Sequence, residues 1–296
     1  PPPYGNGGGE ATSHIDDPIS NHELIGIWQG GIEIHPLINR ELSLRWMTEK
    51  RIDYRQASLY FWSFQIMTTY VQDTVEDLND GVDDNDPRAY IRLLNAEAGI
   101  ADPEDFIMTV GDLKSKMNLD LLNPFAIYSM WTILKTYLWN GDVSNKLFCL
   151  NLGEVRYLPS LRTGLTPFGI QYHLENYFRY RQMVGLIDVS LGDQTFYNSW
   201  GGLGILVQNV YEKDRLSLNL KCDFWDQPQL RLGENADPLS ESKTGGAVSV
   251  RVYYDLPGTT YPWAAVFEAG YKSEGFLEGY AFDASPVLLI GVAIRN

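Results

Sequence analysis

From about residue 150 onward, apolar and polar positions alternate with a period of two. RLSLNLKCDFW sets Leu216, Leu218, Leu220, Cys222 and Phe224 on one face, with Arg215, Ser217, Asn219, Lys221 and Asp223 on the other. AVSVRVYYD opposes Val248, Val250, Val252 and Tyr254 to Ser249, Arg251, Tyr253 and Asp255. WAAVFEAGYK opposes Ala265, Phe267, Ala269 and Tyr271 to Val266, Glu268, Gly270 and Lys272. A strand with one apolar and one polar face predicts a half-buried antiparallel sheet. About nine candidate strands run from residue 156 to the end, parted by turn residues such as Pro257-Gly258 and Ser273-Glu274-Gly275. Several reach about 10–13 residues, against a usual mode of about five or six.

The preceding part of the chain has a different period. Residues 53–140 read as helical. YRQASLYFWSFQIMTTYVQDTVEDL lacks Gly and Pro and repeats apolar residues at helical spacing, as at Leu59, Trp62, Phe64 and Met67. Asp86-Pro87 and Asp102-Pro103 look like a cap followed by a first-turn proline. The cleanest start is Asn123-Pro124, followed by FAIYSMWTILKTYLW, with Gly141 as the stop. That run carries only one charge, Lys135, so burial on most sides is expected, in protein or partly in lipid. Residues 24–48 hold LIGIWQGGIEI and ELSLRWM, where the alternation of Leu42, Leu44 and Trp46 predicts one or two strands. PPPYGNGGG opens a flexible leader. The domain reading is therefore 1–20 leader, 21–149 mostly helical, and 150–296 antiparallel barrel or sheet.

Composition narrows the class. The chain has 296 residues, with 23 basic against 38 acidic side chains, a net charge of −15. That balance excludes a general nucleic-acid binder. Two cysteines, Cys149 and Cys222, exclude a disulfide framework and a Cys-rich zinc site. Aromatic residues reach 13%, with 18 Tyr and 8 Trp. No segment approaches the roughly 18 consecutive apolar residues of a transmembrane helix. The mean hydropathy of −0.22 still suits a membrane sheet, in which only every second residue must be apolar. The chain begins at Pro1 with neither a basic n-region nor an apolar h-region, which fits either an exported protein whose signal peptide has been removed or a sequence trimmed at its start.

Long alternating strands, short turns and aromatic strand ends make the C-terminal half resemble the Gram-negative outer-membrane β-barrels as a class. The ending VLLIGVAIRN departs from their usual terminal aromatic residue. The resemblance implies an α+β protein: a helical N-terminal region joined to a closed membrane β-barrel of about 8–12 strands. It implies an outer-membrane location, with the periplasm as the alternative. Membrane lipid would be one partner, and residues 53–140 would dock other envelope proteins in a structural or assembly role. Two other readings stand beside it. One is a soluble α+β binding protein, with the Leu216, Leu218 and Leu220 face packed on Trp131 and Leu134. The other is a lipid-modifying membrane hydrolase.

The hydrolase would use Ser199 as nucleophile, His173 as base and Glu175 as orienter. His173 and Glu175 share a strand face because they are two residues apart. GxSxG is absent, so a soluble hydrolase elbow is unsupported. The acidic run that includes Asp80, Asp83, Asp84 and Asp86 has the oxygen ligands for a hard cation, though not the spacing of an EF-hand. GGLGI at 201–205 lacks a nucleotide-binding fingerprint and reads as a strand bend or close packing. Arg156, Arg162, Arg179 and Arg181 would pair with carboxylates inside, in preference to lipid phosphates outside. No cofactor is expected.

Overall fold

The computed structural model describes residues 19–78, 85–232, 242–257 and 263–294. The leader through residue 18, with His14, lies outside these residues, as do Asp80, Asp83 and Asp84.

A long helix, α1 (Asn21–Glu49), opens the described chain. Its first turn is closed by a capping box in which Ser20 and Glu23 satisfy each other's backbone N–H. Lys50 ends it in the left-handed region at φ 61°. The strand or strands expected within 24–48 are therefore helix, and His22 and His35 sit in it. The reason is that α1 is enclosed around residues 42–47. Leu42, Ser43, Leu44, Trp46 and Met47 are all buried, so no amphipathic stripe survives and chance alternation imitates a strand.

Helix α2 (Tyr54–Gln72) follows a short strand, β1 (Arg51–Asp53), which pairs with β2 (Ser144–Lys146). Helix α3 (Asp86–Glu97) is capped by Asn85, one residue before the expected cap. Asp102 caps a single 3-10 turn, Pro103–Asp105. Helix α4 (Val110–Met117) has its own capping box, from Thr109 and Asp112. A 3-10 stretch, Asn118–Leu122, leads to α5 (Pro124–Trp131), where Asn123 Oδ1 accepts the N–H groups of Phe125 and Ala126. The helix continues in π form through Trp139 and stops before Gly141, at φ 78°.

The expected burial of α5 in protein is not found. Phe125, Ala126 and Ser129 are buried, but Ile127, Trp131, Leu134, Leu138 and Trp139 are exposed. Leu216 and Leu220 are exposed as well, so their face does not pack on Trp131 and Leu134.

The remaining strands are β3 (Leu150–Leu152), β4 (Val155–Thr166), β5 (Gly169–Tyr180), β6 (Met183–Gly192), β7 (Gly201–Lys213), β8 (Leu216–Pro228), β9 (Ser242–Asp255), β10 (Trp263–Lys272) and β11 (Ser285–Ile294). They form one nine-stranded antiparallel meander in sequence order. The alternation along β8, β9 and β10 is as the sequence predicts. Closure is not. The sheet ends at β3 on one side and β11 on the other, so it is open and the closed barrel is corrected to an open sheet.

The β4 edge explains part of this. β3 pairs only with Val155–Tyr157, so on that side most of β4 lacks a strand neighbour. Farther along, Asp120 takes the place of one. Its carboxylate accepts the Thr163 N–H at 2.6 Å and the Thr163 hydroxyl at 2.9 Å. A strand edge satisfied by a helical segment has no donor there for a second strand.

The interior follows from the same arrangement. Trp46, Tyr60, Phe125, Leu158, Tyr177 and Leu186 join α1, α2 and α5 to the sheet. Ile25, Tyr90, Leu94, Met108, Leu113, Leu165 and Ile170 join α1, α3 and α4 to the β4–β5 turn. The Gly192 position admits no side chain, because a Cβ there would enter the Trp200 indole.

Candidate functional site

The strand register gathers charge on the inner face of the sheet, beneath α1. Arg162 of β4 lies opposite His173 of β5, and Glu175 of β5 lies opposite Asp188 of β6. Two facing carboxylates repel. Arg40, reaching down from α1, separates them at 3.3 Å from Glu175 and 3.4 Å from Asp188. Glu278, from the β10–β11 connection, completes the cluster. It accepts from Arg40 at 3.1 Å and from both terminal nitrogens of Arg162, at 3.1 and 2.7 Å. Arg162 Nε also donates to Glu175 at 2.7 Å. Burial pushes the Glu278 carboxyl up, but the Arg162 and Arg40 guanidinium groups outweigh it and hold it below its ordinary range.

Sequence reasoning paired His173 with Glu175. Both are buried here, but the histidine's close partner is Asp188, 3.0 Å from Nδ1. Glu175 instead accepts from the Tyr177 hydroxyl at 2.9 Å and from the arginines. His173 Nε2 lies against β4, where a Cβ on Gly164 would come within 3.2 Å of it. Ser199 sits apart, in the β6–β7 connection, with its hydroxyl accepting from Gln194 at 3.4 Å. The structure thus brings His173 and Glu175 together and leaves Ser199 outside the cluster. No hydroxyl is hydrogen-bonded to His173 among the described residues. A cavity of about 50 Å³ borders Arg40, His173, Asp188 and Glu278, room for a few waters.

Of the four candidates Asp80, Asp83, Asp84 and Asp86, only Asp86 lies among the described residues. It opens α3, and burial pushes its carboxyl up. No group of three or more His, Cys, Asp or Glu side chains is placed to hold a metal among the described residues. The arginines have separate fates. Arg162 is in the cluster. Arg179 donates to the Met47 and Thr48 carbonyls, where the α1 macrodipole is negative. Arg156 donates to the Leu147 carbonyl at 3.0 Å. Arg181 is exposed beside Glu154. Gly201 and Gly202 of GGLGI lie in β7, where Cβ atoms would strike the Ser190 and Phe224 carbonyls.

Arg40, Asp188, Glu278 and Asp120 escaped the sequence reading. Asp188 alone had a local signal, since it occupies a polar slot between Ile187 and Val189.

The outer face has the opposite character. From β6 to β11 its middle carries Ile187, Val189, Leu203, Ile205, Leu220, Cys222, Val248, Val250, Phe267, Leu288 and Ile290, with no charged residue among them. Many are widely open, with Val248 at 55% and Ile290 at 85%. Aromatic residues bracket this band. Tyr211, Tyr254 and Trp263 stand at one end, and Phe224 at the other, with Tyr271 one rung inside it, level with Val248. Six strands about 4.8 Å apart make this band about 24 Å wide. Ordinary soluble monomers rarely expose contiguous apolar patches larger than a few hundred Å².

Comparison with protein-family models, with curated proteins and with solved structures finds no match. Among the described helices, none is long and apolar enough to cross a membrane.

Proposed function

We propose that this protein is a membrane-embedded structural component of a cell envelope, with the outer face of its sheet in lipid. One observation carries the reading: the sheet's polarity is inverted. Its charged face is covered by α1 and the β10–β11 connection, and its apolar face is the exposed one. Water as the outer solvent would favour the reverse arrangement by about 25 cal/mol per Å² of apolar area.

The dimensions agree. Leu216, level with Tyr254, and Phe224 lie eight residues apart on β8, about 27 Å at about 3.4 Å per residue. Membrane sheets carry an apolar band about 25 Å tall between aromatic girdles. The exposed apolar side chains of α5 suit the same surroundings. Bare backbone is not tolerated in hydrocarbon, so on this reading the β11 edge takes a further strand. The buried ionic cluster then acts as a clasp, fixing α1 and the β10–β11 connection to the polar side.

Cys222 provides the test. It is an exposed thiol on the outer face, between the levels of Tyr254 and Phe224, whereas Cys149 is buried against Met47. A nitroxide attached to Cys222 of the chain reconstituted in phosphatidylcholine nanodiscs should meet oxygen often and a water-soluble nickel chelate rarely. Frequent collision with the chelate would overturn the reading.

A further inference from the structure

Three arginines converge at the end of the molecule where α1 finishes. Arg45 comes from the last turns of α1, Arg51 from β1 and Arg55 from the first turn of α2. With Glu49, Asp53 and Gln56 they line one open cleft of about 670 Å³. That size lies within the roughly 300–1,000 Å³ of small-ligand sites.

The charges in the cleft do not cancel. Arg45 is bound to Glu49 at 2.6 Å, and Arg55 to Asp53 at 3.0 Å. Arg51 is exposed and hydrogen-bonded only to the Ser144 hydroxyl among the described residues, which leaves one positive charge unmatched. Gln56 Oε1 is held by the Trp46 indole N–H at 2.8 Å, so the Gln56 amide keeps its N–H groups for a ligand. A chain of net charge −15 has placed a cationic cleft here.

The position matters as much as the charge. Arg179, near the end of β5, donates to the last carbonyls of α1, so the cleft lies at the β5 C-terminal end of the sheet. Tyr211, Tyr254 and Trp263 ring that same end of the outer face. Beside the cleft, Tyr54 stacks on Tyr137 at 3.9 Å. Tyr and Trp concentrate at the level of lipid head groups, where phosphates lie.

We infer that the Arg45–Arg51–Arg55 cleft binds the phosphate of an anionic phospholipid head group, anchoring this end of the protein at the membrane surface. The inference rests on the lipid-facing reading of the sheet and names its ligand. Guanidinium forks suit phosphate oxygens, and Arg51 is the group free to turn toward them.

The test is native mass spectrometry of the full chain in detergent, titrated separately with phosphatidylglycerol, phosphatidylcholine and inorganic phosphate. Phosphatidylglycerol should bind most tightly. Arg51→Gln should weaken it about fivefold, and adding Arg55→Gln should weaken it further by a similar factor. Arg51→Lys, which keeps the charge but not the fork, should recover only part of the loss. Unchanged phosphatidylglycerol binding in the double variant would overturn the inference. Inorganic phosphate binding as tightly as the lipid would also overturn it, since the site would then serve a free anion. The Cys222 nitroxide separates the two proposals. A label that stays dry in a variant that has lost nothing sinks the cleft alone, whereas a wet label sinks the membrane reading beneath it.

Discussion

Lowering the pH from 7 to 4 should charge His22 in the unfolded chain well before the folded one. Its imidazole is fully buried, Nδ1 accepts the Arg231 N–H at 2.8 Å, and Phe168 stands edge-on at 5.4 Å. Nε2 has no hydrogen-bond partner, and Glu97 lies 3.7 Å away. Burial, helped by the Arg231 guanidinium, pulls the pKa from 6.5 to about 4. Between those values the unfolded chain holds a proton that the folded one refuses, so stability falls as pH falls. At about 1.4 kcal/mol per pH unit, the gap amounts to about 3 kcal/mol. Asp120 runs the other way: burial pushes its carboxyl up to about 7, so its contribution is full below about 4 and lost as pH rises through 7. Because the two trends oppose each other in the natural chain, the assay must compare variants. His22→Asn offers Arg231 an acceptor and cannot titrate in this range. Denaturant unfolding in detergent micelles, followed by Trp fluorescence at half-unit pH steps, gives the difference between the two proteins. That difference should change by about 3 kcal/mol from pH 6.5 to 4. A flat difference would refute the buried neutral imidazole, as would a His22 NMR resonance titrating near 6.5.

Other outcomes follow from the same geometry. Asp120→Ala strands the Thr163 N–H and hydroxyl and should cost about 2–4 kcal/mol in denaturant unfolding, whereas Asp120→Asn retains an acceptor and should stabilise the protein above pH 7. Glu278→Gln leaves two buried guanidinium groups short of a charge and should cost about 3–5 kcal/mol; a cost below 1 kcal/mol would mean that water already screens the cluster. Leu220→Arg should cost about 2–4 kcal/mol when the chain unfolds from lipid vesicles, and equal stability in vesicles would contradict a lipid contact. Ile290→Lys, on the bare β11 edge, should lower the mass of self-associated material seen by light scattering, and unchanged association would exonerate that edge.

The strands were legible because their signal is local. Leu216 to Phe224 and Val248 to Tyr254 each declare a face within a few residues, and the register keeps those faces together across β8, β9 and β10. The caps at Asn123 and Asp102 were legible for the same reason, since each acts on N–H groups only two or three positions away. Helix α1 was not. Its pattern reflects several neighbours at once: the polar side of the sheet at Arg40, and the aromatic core at Trp46. The ionic cluster was half visible. His173 and Glu175 are near in sequence, but Arg40 and Glu278 reach them from 135 and 103 residues away, and spacing carries no trace of that. Closure was misjudged for a related reason, because the sequence of β4 does not say that Asp120 will satisfy its edge.

Alternation alone never says which face is wet. The pattern of β8 would suit a sheet packed on its Leu face just as well as one packed on its Lys221 and Asp223 face. What decides is the partner that each face finds. Here α1 brings Arg40 to the charged side, where three carboxylates and Arg162 need matched partners and little contact with water. Removing that side from solvent without Arg40 would leave Glu175 facing Asp188 at a cost of several kcal/mol. Once the charged face is committed to α1, the apolar face has no helix left among the described residues to cover it, because α3 and α4 gather at the β4–β5 turn and α5 turns its own apolar side outward. The buried salt bridges and the exposed leucines are thus two sides of one choice. A polar helix partner inside the sheet leaves an apolar face outside it, the face that the proposed lipid contact would cover.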